Sequence, residues 1–105
     1  MGDSVEGLDM AKKVAKERAV LVTTKHRGVF FGYATDTSGN NIFLRRCRNC
    51  VYWSADVKGF LGLASNGPTP TCRIGPAADV EVRDVTSVSE VSDAAVAKWE
   101  AAPWI

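Results

Sequence analysis

The stretch Val20-Leu21-Val22-Thr23-Thr24-Lys25-His26-Arg27-Gly28-Val29-Phe30-Phe31-Gly32-Tyr33-Ala34-Thr35 decides how the rest of the chain is read. Two runs rich in β-branched and aromatic residues flank a polar Lys-His-Arg-Gly segment, which predicts two antiparallel strands joined by a tight turn. Asp36-Thr37-Ser38-Gly39-Asn40 follows as a second turn, because Gly39 and Asn40 both tolerate positive φ. Asn41 to Arg46 then supplies a third strand, and the three together form a bent antiparallel meander.

Outward from this centre the signals change. Asp9 to Arg18 (DMAKKVAKER) reads as a helix capped by Asp9, with Met10 and Val14 on a thin apolar stripe. Residues 1–8 read as a flexible N-terminus, and 9–105 as a single β-rich α+β domain. On the other side, Val51, Tyr52 and Trp53 either prolong the third strand past a bulge near Arg48 or begin a fourth. Ser54 can cap a short helix through Lys58, while Gly59 and Gly62 argue against a long one. Ser65 to Pro70 is a loop by composition. Thr71 to Ile74 reads as a short strand, and Asp79 to Val85 as a half-exposed one, by alternation of Val80 and Val82 with Glu81 and Arg83. Ser92 caps a last helix running through Trp99, which Pro103 ends. The expected fold is therefore a bent meander, or a small SH3-like barrel, with an N-terminal and a C-terminal helix.

With 105 residues, 46% hydrophobic and 24% charged, the chain can bury one modest core and is not globally disordered. Thirteen Lys and Arg against twelve Asp and Glu leave a net charge of +1. That excludes a histone-like polycation and an acidic mimic of DNA. The charge is unevenly spread, at −3 over residues 1–11, +7 from Lys12 to Lys58 and −3 from Gly59 onward. A local cationic face survives this arithmetic, and opposed patches suit head-to-tail self-association into a homo-oligomer. No apolar run approaches the ~18 residues of a membrane helix, so no membrane association is expected. Three acids precede the first Lys, the wrong polarity for a secretory signal, so the expected compartment is cytoplasmic.

Four residues have the chemistry of a zinc site: Cys47, Cys50, Cys72 and His26. The Cys-x-x-Cys, however, ends an apolar strand rather than forming a knuckle turn. Strand alternation would point Cys47 and Cys50 to opposite faces unless a bulge intervenes. The favoured reading is three reduced thiols acting as small buried hydrophobes, with no metal and no cofactor. The pair also lacks the following helix that activates a redox cysteine. His26 is the only histidine, no nucleophile elbow accompanies it, and Gly59-Phe60-Leu61-Gly62 is too short for a phosphate loop. Catalysis is therefore not expected.

The basic and aromatic residues carry more. Arg45, Arg46, Arg48 and Lys58 surround Tyr52 and Trp53, with Lys25, His26 and Arg27 in the neighbouring turn. Guanidinium groups beside aromatic faces can hold phosphate and stack on bases. The competing reading buries Tyr52 and Trp53 and lays the arginine stems over the strand edge. At the other end Trp99, Trp104 and Ile105 either dock on the chain's own core or meet a neighbouring subunit.

Two resemblances follow from these residues. Val20-Leu21-Val22, Arg27-Gly28, Gly32-Tyr33, Asp36 and Asn41-Ile42-Phe43-Leu44 are similar to the opening hairpins of Sm-like RNA-binding barrels. His26-Arg27-Gly28-Val29-Phe30-Phe31-Gly32, Arg48-Asn49-Cys50-Val51-Tyr52-Trp53-Ser54, Lys58-Gly59-Phe60-Leu61-Gly62-Leu63-Ala64, Gly67-Pro68, Val85-Thr86-Ser87-Val88 and Trp99-Glu100-Ala101-Ala102-Pro103-Trp104 resemble a family of small phage and prophage proteins of uncharacterised function. The second resemblance implies a bacterial host cytoplasm and a phage accessory role, and assigns no site residues. The expected function is non-enzymatic binding of a host or phage protein, with a nucleotide or single-stranded nucleic acid as the alternative ligand.

Overall fold

The structure, a computed structural model, describes residues 16–104. Its elements run β1 (Arg18–Thr24), β2 (Val29–Ala34), β3 (Ile42–Tyr52), a 3-10 turn (Ala55–Val57), α1 (Gly59–Ser65), β4 (Arg73–Ile74), β5 (Ala78–Val82), β6 (Val85–Glu90) and α2 (Asp93–Ala101). The sheet order is β4-β3-β2-β1-β6, with β5 also on β3, and every pairing is antiparallel. This is the β-rich α+β class and the bent meander that the sequence predicts. Most of the expected helix from Asp9 to Arg18 lies outside the described residues, as do residues 1–8 and Ile105. Its last residue is corrected: Arg18 opens β1 opposite Ala34, and its guanidinium reaches Glu90 at 2.6 Å and Thr37 at 2.7 Å.

The bend has a definite cause. β5 pairs with β3 on one side of the meander and β6 pairs with β1 on the other, yet only Arg83 and Asp84 separate them. In a flat sheet those strands would stand four spacings apart, roughly 19 Å. The chain from Val82 to Val85 can reach only about 11 Å. The sheet must curl until its edges meet. Asp84 accepts from the Lys25 N–H (2.9 Å) in the β1–β2 turn, and the Val85 N–H donates to Asn40 (3.0 Å) beyond the far end of β2. Diagonal corners of the meander are thereby tied together. The single strand expected over Asp79 to Val85 is thus two, because Asp84 takes a left-handed conformation (φ 58°) and redirects the chain.

Curling buries β1 on both faces. Val20 and Val22 join Ala34, Ile42, Leu44, Cys47 and Val82 inside the curl, whereas Leu21 joins Phe31, Cys50, Leu63, Ile74 and Trp99 under the helices. Leu44 and Cys47 share a face although they are three positions apart, which regular alternation forbids. A bulge at Arg46 (φ 51°) resolves this, as Tyr33 pairs with Arg45 but Phe31 with Arg48. The Arg46 N–H freed by the bulge donates to the Asp79 carboxylate at 2.9 Å. Beyond it the third strand continues to Tyr52, the first of the two expected alternatives, with the bulge at Arg46 rather than Arg48.

The helices close the second layer. Ser92 caps α2 by accepting from the Ala95 N–H at 3.1 Å. Trp99 is fully buried, stacks on Phe31 (5.1 Å between centroids, 5° between planes) and donates from Nε1 to Leu63 at 3.1 Å. Helix α1 is seven residues long, in keeping with the expectation that Gly59 and Gly62 would not allow a long one, but it starts at Gly59 rather than ending at Lys58. A Cβ on Gly62 would lie 1.6 Å from the Val57 carbonyl oxygen, so glycine is required for the 3-10 turn to fold back against α1. Packing there outweighs the weak helix propensity of glycine. No helix among the described residues is long and apolar enough to cross a membrane. Gly62→Ala is expected to destabilise the fold by about 2–4 kcal/mol, since backbone cannot yield as a side chain can. Thermal melting tests this, and an unchanged midpoint would contradict the close approach.

Candidate functional site

The arginines singled out from the sequence do not form one patch. Arg45 and Arg46 lie near the start of β3, where the bulge sets them beside Tyr33 of β2. The Arg46 guanidinium sits 4.3 Å over the Tyr33 ring and bonds Glu17 at 2.8 Å. Arg45 lies 3.7 Å from both Glu17 and Asp79 and 5.5 Å from the Phe43 ring centroid. The Tyr33 hydroxyl donates to Glu100 of α2. Burial, then this hydrogen bond and the Glu100 charge, push the Tyr33 phenol up to about 12, with Arg46 opposing. Cation and carboxylate are thus closely matched around Tyr33, and a phosphate entering here would have to displace Glu17 from both guanidinium groups.

Arg48 serves the fold. Its guanidinium donates to the carbonyl oxygens of Gly75 and Trp99, both at 2.8 Å, tying the chain after β4 and the end of α2 to the sheet. Two expected binding residues therefore turn inward, since Trp53 is half-buried against the core beneath the helices. Trp99, for which docking on the chain's own core or a subunit contact was expected, takes the first: it is core and has no exposed surface to offer a neighbour. Ile105 lies outside the described residues. Lys25, His26 and Arg27 are exposed in the β1–β2 turn, with His26 3.7 Å from Asp84. Lys58 is exposed between the 3-10 turn and α1 in a left-handed conformation (φ 65°).

A different cation completes an aromatic surface. Tyr52 is 52% exposed at the end of β3, and Arg73 stands opposite it in β4. The Arg73 guanidinium carbon lies 5.7 Å from the ring centroid of Trp104, itself 54% exposed. Val51, beside Tyr52, is also exposed. Sequence reasoning found Tyr52 and Trp104 separately but missed Arg73, because only the β3–β4 pairing joins positions twenty-one residues apart. It missed Tyr33, Glu17, Asp79 and Glu100 for the same reason, although the Phe-Gly-Tyr run marked β2 as a strand.

The cysteines divide between the cores. Cys47 lies inside the curl, Cys50 and Cys72 beneath the helices, and all three are buried and free. Burial pushes the Cys47 and Cys50 thiols up to about 12, with Cys72 adding to the effect on Cys50. His26 stands in the exposed turn. Among the described residues no group of three or more His, Cys, Asp or Glu side chains is placed to hold a metal ion.

A family model described as a domain of unknown function (DUF6948) matches residues 17–99, from the residue before β1 to Trp99. No curated protein and no solved structure matches the chain.

Two expectations follow from the titrating groups. Because the Tyr33 value lies above that of a free phenol, its contribution to stability is fully present below pH 10 and is lost as pH rises toward about 12. In a Tyr52→Phe background, tyrosinate absorbance should therefore appear near pH 12, and Glu100→Gln should lower that midpoint. A midpoint at 10 in the folded protein would contradict both the burial of the phenol and its Glu100 contact. Iodoacetamide at about pH 8 should leave Cys47 and Cys50 unlabelled in the native chain and label both after unfolding, read by mass spectrometry. Rapid labelling of the folded chain would refute their burial.

Proposed function

The chain belongs to the family described as a domain of unknown function (DUF6948), and we propose that it is a non-enzymatic binding protein that takes a protein partner through Tyr52, Arg73 and Trp104. The single observation that carries this reading is the half-exposure of Tyr52 and Trp104 (52% and 54%) around Arg73. Aromatic and arginine side chains dominate the energetics of protein interfaces, Tyr and Trp because they bury large areas at small entropic cost and Arg because it adds directional hydrogen bonds. The charge matching around Tyr33 supports a partner other than a phosphate-bearing one for Arg45 and Arg46. The phage accessory setting in a bacterial cytoplasm rests on the sequence resemblance described above. Self-association through Trp104 belongs to the same reading.

A second reading, a nucleotide or single-stranded nucleic acid, draws on the Arg73–Trp104 contact, because bases stack on such pairs. Crosslinked capture from phage-infected cells separates the two. Tyr52→Ala combined with Trp104→Ala should reduce recovery of a discrete host or phage protein by about tenfold or more, while Arg45→Glu with Arg46→Glu should retain it. Recovery untouched by the aromatic substitutions would overturn the proposal. Retention of oligonucleotide that weakens steeply with salt would favour the second reading.

A further inference from the structure

A cleft lies next to this surface in the chain, since Cys72 and Pro103 precede Arg73 and Trp104. The loop from α1 to β4 and the end of α2 enclose a cleft of about 460 Å³, walled by Pro68, Pro70, Cys72, Ala101 and Pro103, with Lys98 at its edge. That volume lies within the range of small-molecule sites. Its walls are unusual in having almost no rotatable side chains. The prolines fix their own backbone, the alanines are short, and Cys72 is buried with its thiol 3.6 Å from the Thr69 hydroxyl. Such a wall cannot collapse into the space by changing rotamer, so the cleft stays open and costs little to organise for a ligand.

Its charge is equally simple. Among the described residues that line the cleft Lys98 alone is charged, and its ammonium group has no ion pair or hydrogen-bond partner among the described residues. Every other described side chain that lines the cleft is apolar, a thiol, or the Thr69 hydroxyl, already engaged with Thr71 at 2.8 Å. We propose that this cleft binds a small amphipathic carboxylate, its hydrocarbon portion against the prolines and Ala101 and its carboxylate on Lys98. An apolar body with one anionic end matches an apolar wall with one cation, and a charge-assisted hydrogen bond would fix the orientation. The site is independent of the protein-binding reading, because neither Tyr52 nor Trp104 lines it.

Calorimetric titration of the full chain with decanoate, and separately with decanol, tests this. Decanoate should saturate at one equivalent. Ala101→Trp, an exposed position at the end of α2, should abolish binding by filling the cleft while the circular dichroism spectrum and melting temperature stay near wild type. Lys98→Gln, also exposed, should weaken decanoate about tenfold and leave decanol within about twofold, the pattern of one lost charge-assisted bond. No decanoate binding to the wild-type chain would overturn the proposal. So would undiminished binding to Ala101→Trp, or an equal loss for decanoate and decanol on Lys98→Gln.

Discussion

The link Arg83-Asp84 is the constraint on which the remaining structure depends. It obliges strands on opposite sides of the meander to meet, and the sheet can satisfy it only by curling. The curl creates an inner core from Val20, Val22, Leu44 and Val82, and leaves the outer face of the same strands for the helices. A short chain thereby gains two apolar clusters from one sheet, with β1 shared between them. The Arg46 bulge is part of the same solution, because it shifts the phase of β3 and returns Cys47 to the inner side while Cys50 goes to the outer.

Much of this was legible in the residues. The meander followed from β-branched runs separated by turn residues, and the cap at Ser92 from a side chain that can accept a backbone N–H. What escaped was set by distant partners. Asp79 to Val85 alternates as one strand would, and only the tie of Asp84 to Lys25 and of Val85 to Asn40 shows why the chain turns within it. Val85–Glu90 is rich in Ser and Thr, so it lacks an apolar signature. Thr23 nevertheless bonds the hydroxyls of Thr86 and Ser87 across the pair, which holds this polar strand at the edge. Helix α1 was obscured by Gly62, whose missing Cβ matters to Val57 rather than to the helix itself.

The candidate surface shows the same division. Local charge from Lys12 to Lys58 is +7, which suggests an open cationic face. In space, carboxylates from elsewhere in the chain reach into it: Asp79 to Arg45, Glu90 to Arg18 and Glu100 to Tyr33. Counting along the sequence cannot register such compensation. Phe43 is half-exposed beside Arg45, whereas two half-exposed aromatics, Tyr52 and Trp104, flank one arginine at the far end of β3, where β4 is only two residues long and brings Arg73 alongside.

The most direct test of this account is hydrogen exchange with side-chain footprinting of the chain, free and with its captured partner bound. Protection is expected to concentrate at Val51 to Trp53, Arg73 and Trp104, with Arg45 and Arg46 unchanged. Protection centred on Arg45, Arg46 and the Lys25–Arg27 turn, with Tyr52 and Trp104 as accessible as before, would contradict it.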